Sequence, residues 1–90
     1  MVYFVLTRRG YERLVDALLC VPSPLWVNQG VLSPEELAGL RAIGISVTDF
    51  THAIDPADCA QVADATHTVC DHHPGQLVWV ECMASAPSGV

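Results

Sequence analysis

Ninety residues hold one domain and leave no room for a second core. Ten acids against four arginines and no lysine set the net charge at −6, which disfavours nucleic-acid backbones and anionic membrane surfaces as partners. At 51% hydrophobic residues and a mean hydropathy of +0.35, the chain carries more apolar side chains than a small domain ordinarily hides, and this excess points to a homodimer or a stable protein partner.

The opening run Val2-Tyr3-Phe4-Val5-Leu6 is apolar on both faces, as a strand covered on both sides reads. It leads directly into Arg8 and Arg9. A signal peptide has the opposite order, charge before the apolar run, and no stretch reaches the roughly 18 apolar residues of a spanning helix, so a cytoplasmic location is expected. Thr7 predicts the cap of a first helix from about Arg8 to Cys20. Its apolar face is Tyr11, Leu14, Val15, Leu18 and Leu19, and Val21-Pro22-Ser23-Pro24 ends it.

Arg8, Arg9 and Arg13 place three of the four positive charges within six residues. Two stand at a helix start, where the macrodipole disfavours cations. Forked guanidinium groups beside free backbone amides suit a phosphate or carboxylate, so the cluster is a candidate anion site. The favoured alternative is a salt-bridged solvent face, with Arg9 on Glu12 and Arg13 on Asp16. No glycine-rich phosphate loop of P-loop or dinucleotide spacing supports the anion reading.

Leu25-Trp26-Val27 predicts a second strand near 25–28, closing on Asn28-Gln29-Gly30. Ser33-Pro34-Glu35-Glu36 has capping-box spacing with proline in the first turn, and opens a helix over 34–43 that Gly44 closes. A third strand follows at 45–50. Beyond it stands His52, with Asp49 and Asp55 close in sequence; a histidine oriented by a carboxylate suits a general base, yet no nucleophile elbow accompanies them. No residue is assigned a catalytic role.

Asp55-Pro56-Ala57-Asp58 repeats the cap-plus-proline signal and predicts a third helix over 56–72. On its wheel Cys59, Val62, Ala63, Thr66 and Cys70 form the apolar side, which makes the two thiols buried and inert. They lie roughly 16 Å apart along the helix, too far for a disulfide. His67, Cys70 and Asp71 invite a metal reading, but no CxxC or HxxxH occurs, and no metal or other cofactor is expected. His72 and His73 suit the last turn, within reach of free carbonyls. Leu77 to Met83 predicts the fourth strand, with Trp79, like Trp26, in the core or an interface.

The order βαβαβαβ predicts a small single α/β domain over 1–84, with a four-stranded mainly parallel sheet, three helices, and a C-terminal tail at 85–90. Three helices over two faces leave one face of the sheet thinly covered, which again points to self-association. Two functions follow as expectations. The first is a protein-binding or regulatory module, homodimeric. The alternative is a small-ligand protein or enzyme, binding an anion or phosphate group at the carboxyl edge of the sheet through Arg8, Arg9, Arg13, Asn28 and His52.

Overall fold

The apolar run at the amino terminus forms β1 (Val2–Val5), and Thr7 caps α1 (Arg8–Leu18). β2 (Leu25–Val27), α2 (Pro34–Ala42), β3 (Val47–Asp49), α3 (Cys59–His72) and β4 (Val78–Val80) follow. The computed structural model describes residues 1–81; the expected end of the fourth strand at 83 and the tail at 85–90 lie outside the described residues. All three pairings are parallel, in the order β3-β2-β1-β4. The chain is thus the α/β domain its alternating pattern predicts.

Right-handed crossovers explain how the helices are shared. The chain steps from β1 to β2 to β3 in one direction, so α1 and α2 lie on the same face. It then returns past β1 to β4, so α3 covers the other. Strand alternation feeds both layers. Val5, Leu25, Val27 and Val47 meet Leu14 of α1 and Leu37 of α2, while Val2, Phe4 and Trp26 meet Ala65 and Val69 of α3 together with Phe50 and Ile54. The second layer is aromatic: Phe50 lies 5.3 Å from Phe4 and 5.5 Å from Trp26, centroid to centroid. The same topology leaves one place bare. No helix follows β4 on the α1/α2 face among the described residues, and Trp79 is 39% exposed there.

Three expectations are corrected. α3 begins at Cys59, capped by Asp58, whose side chain accepts from Ala60 and Gln61. Asp55 instead holds a preceding turn, accepting from the Ala57 N–H at 2.9 Å, with Pro56 inside it. The buried stripe of α3 is Ala65 and Val69 with Val62 beside them, and Cys59 and Cys70 are exposed, so neither thiol is buried. Leu19 does not extend the apolar face of α1: it ends the helix in the left-handed region at φ 59° and is 89% exposed. A closing residue that must turn the chain cannot also point its side chain at the core.

Candidate functional site

In open parallel sheets, ligands gather beyond the carboxyl ends of the strands, where neighbouring strands send their connections to opposite faces. Here that point lies between β1 and β4. The backbone amides of Leu6 and Thr7, which lead into α1, are aimed at it, and the chain fills it with its own carboxylate. Glu81, just past β4, accepts from the backbone N–H of Leu6 at 2.7 Å and of Thr7 at 2.9 Å through Oε1. Its Oε2 accepts from the Thr7 hydroxyl at 2.7 Å. Thr7 Oγ1 in turn accepts from the Gly10 N–H at 3.0 Å, the helix cap. A negative charge at a helix start is favourable, and here it comes from within the molecule. Gly10 makes the approach possible, because a Cβ at that position would run into the Glu81 carboxylate.

The arginines do not converge on this point. Arg8 turns toward α2: its Nη1 lies 2.8 Å from both carboxylate oxygens of Glu36 and donates to the Val31 carbonyl at 3.2 Å. Its Nε donates to Glu12 at 3.1 Å. Glu36 and then Glu12 therefore hold the Arg8 guanidinium above its ordinary pKa. Glu36 is held below the usual carboxylate value, chiefly by the Ser33 backbone N–H and next by Arg8. The cation at the start of α1 is thus matched by two glutamates. Glu12 belongs to Arg8 rather than to Arg9, and the pairs Arg9–Glu12 and Arg13–Asp16 do not form among the described residues. Arg9 and Arg13 are exposed.

Asn28 is buried, and its amide is fully occupied in holding loops together. Nδ2 donates to the carbonyls of Leu6 at 3.1 Å and Ile54 at 2.7 Å. Oδ1 accepts from the backbone N–H of Gln29 at 2.8 Å and of Ile54 at 2.9 Å. Two donors and two lone pairs are all that an amide offers. Asn28 therefore ties the carboxyl ends of β1, β2 and β3 to one another. His52 is exposed beside Phe50, 5.9 Å between ring centroids. Of the five candidate anion-site residues, no side chain bonds to the side chain of another among the described residues.

At the carboxyl end of α3, the His73 ring accepts from the Trp26 indole N–H at 3.0 Å, and His72 donates to the Thr68 carbonyl at 2.9 Å. His72 thus reaches a last-turn carbonyl as its position predicts. His67 and Asp71 are 3.7 Å apart and exposed. Among the described residues, no three His, Cys, Asp or Glu side chains gather in a way that could hold a metal ion. No helix among them is long and apolar enough to cross a membrane.

The other chemically distinctive surface is the outer edge of β4. β1 takes the Leu77 carbonyl through the Val2 N–H at 2.8 Å, and the Glu81 N–H donates to Phe4 at 2.9 Å. Odd-numbered residues of β4 therefore face β1, and Val78 and Val80 turn their N–H and C=O groups outward. Leu77 is 74% exposed, while Trp79 packs against Tyr3 at 6.0 Å and stays partly exposed. The opposite edge of the sheet is guarded. The Arg41 guanidinium donates twice to the outward Val47 carbonyl, at 3.0 and 3.3 Å, and sits 3.6 Å from Asp49. Residues 73–80 hold no Asp, Glu, Lys or Arg. Sequence reasoning placed Trp79 in the core or an interface, and put Gly10 and Glu81 at the carboxyl edge of the sheet, but missed that Gly10 admits the Glu81 carboxylate. A glycine in the first turn of a helix, where alanine is preferred, was the available signal. The chain matches no family model, no curated protein and no solved structure in comparisons with known proteins.

Proposed function

We propose that this chain is a protein-association module whose contact surface is the outer edge of β4, with a regulatory or assembling role in place of catalysis. The observation that carries this reading is the contrast between the two sheet edges. Unpaired strand edges invite added strands, and folded proteins ordinarily blunt them with charge. β3 is blunted by Arg41 and Asp49, whereas β4 presents outward backbone groups beside Leu77 and Trp79, in a stretch, 73–80, without Asp, Glu, Lys or Arg. Edge pairing of this kind takes affinity from backbone hydrogen bonds and selectivity from alternate side chains.

The anion-site alternative has less support. The Leu6 and Thr7 amides are bonded to Glu81 and the Gly10 amide to Thr7, Arg8 is engaged with glutamates, and both Asn28 donors are used. A displayed library of short peptides, selected on the immobilised protein, tests the proposal. Extended apolar and β-branched sequences should be enriched, shift the Trp79 emission, and lose binding to the W79A variant. Selected peptides that bind W79A as well as wild type would place the contact elsewhere and overturn the reading.

A further inference from the structure

The occupant of the β4 edge can be read from the edge itself, given that this edge is the contact surface. We infer that it is a second copy of this chain, paired antiparallel through β4 about a two-fold axis at Val78, so that two four-stranded sheets become one continuous sheet. Charge is the first argument. A chain of net charge −6 repels its own copy over most of its surface, and it can approach closely only where acids are missing. Residues 73–80 are such a stretch, and the next acid, Glu81, is held inward by Leu6 and Thr7.

Self-complementarity is the second. Antiparallel pairing at Val78 sets Leu77 of each copy directly opposite Trp79 of the other. Both residues have backbone groups facing β1, so they form a pair without mutual hydrogen bonds, the closer-spaced kind, on the same face of the sheet. The two exposed apolar side chains along this edge, Leu77 just before β4 and Trp79 within it, thus cover each other. The backbone agrees. Val78 of one copy exchanges N–H and C=O with Val78 of the second, and the Val80 N–H of each meets the second copy's Gln76 carbonyl. The Gln76 N–H is already committed to the His73 carbonyl at 3.2 Å, which closes the pairing at that end. A two-fold axis of this kind makes a closed, isologous dimer and leaves the guarded β3 edges at its outer ends.

A charge swap at Leu77 and Trp79 tests the pairing and its register together. By sedimentation equilibrium, full-length wild type should run at twice the 9.7 kDa chain mass. L77E and W79K should each run at the single-chain mass, with circular dichroism unchanged, because Leu77 is exposed and Trp79 lies at the rim. An equimolar mixture of the two should recover the double mass, since one Leu77–Trp79 pair stays native and the other becomes an ion pair. A wild type at the single-chain mass that still captures edge-binding peptides removes the second copy and leaves the association reading standing. A dimer that L77E does not dissociate, in a protein whose selected peptides ignore W79A, removes both. Variants that dissociate but do not recombine overturn the Val78 register.

Discussion

Gly10 sits in the first turn of α1, where alanine would ordinarily be the better residue by up to about 1 kcal/mol. Its missing side chain is what admits the Glu81 carboxylate to the Leu6 and Thr7 amides. The two positions should therefore be coupled, and a double-mutant cycle in urea reads the coupling. G10A alone should destabilise by about 1–3 kcal/mol, as the carboxylate is pushed off its donors. In an E81A background the same G10A change should stabilise by roughly 0.5–1 kcal/mol, the ordinary helical preference. Equal effects in both backgrounds would show that the carboxylate is not seated there. The sequence made Arg8 conspicuous because a cation at a helix start breaks a local rule, but it did not show what answers it. One partner, Glu12, stands four residues on, at ordinary helical pairing distance, but Glu36 lies 28 residues away and the amides' partner Glu81 74 and 75 residues away, and no spacing pattern links positions so remote.

At the scale of elements, helix starts were the most legible features, because capping is local chemistry. Ser33 and Glu36 form the reciprocal box their spacing predicts, with bonds of 2.9 and 3.1 Å. The start of α3 was harder, since Asp55 and Asp58 are both cap residues and Pro56 fits a turn as well as a first helical position. Its buried face was misread for a related reason. An alanine-rich helix offers two neighbouring stripes, one through Cys59, Ala63 and Cys70 and one through Val62, Ala65 and Val69, and packing chose the second. The caps also set a pH dependence. Glu36 is held below its usual 4.5 by the Ser33 N–H and then Arg8, and Asp58 below 3.8 by the Gln61 N–H and then the Gln61 side chain. Because both values are lowered on folding, their contribution is complete above the unfolded values and is lost as pH falls through the folded ones. E36Q combined with D58N should flatten the fall in Tm below about pH 4.5 relative to wild type, while the plateau near neutrality is lower. An acid limb as steep as that of wild type would mean that these two carboxylates do not drive it.

For the molecule as a whole, the alternation of strands and helices was enough to give the class, because parallel strands need long crossovers. Strand order was not legible: nothing in the residues says that β4 joins β1 rather than β3. Yet the order decides both distinctive places, bringing Glu81 to the start of α1 and leaving β4 at the edge of the sheet with no strand on its outer side among the described residues. It also ties the two layers of core together. Phe4 and Trp26 belong to the aromatic layer under α3, while Val5, Leu25 and Val27, their immediate neighbours in β1 and β2, belong to the aliphatic layer under α1 and α2. Neither layer can come apart without taking those two strands from the other, so unfolding should be a single transition. The two tryptophans make this measurable. In a W79F variant only Trp26 remains, buried in the aromatic layer with its indole N–H on His73. Its fluorescence in urea should trace the same curve, with the same midpoint, as far-UV circular dichroism, which follows helices on both faces. A Trp26 transition complete before the helical signal falls would mean that the α3 layer opens alone, and that the shared strands do not bind the two faces into one cooperative unit.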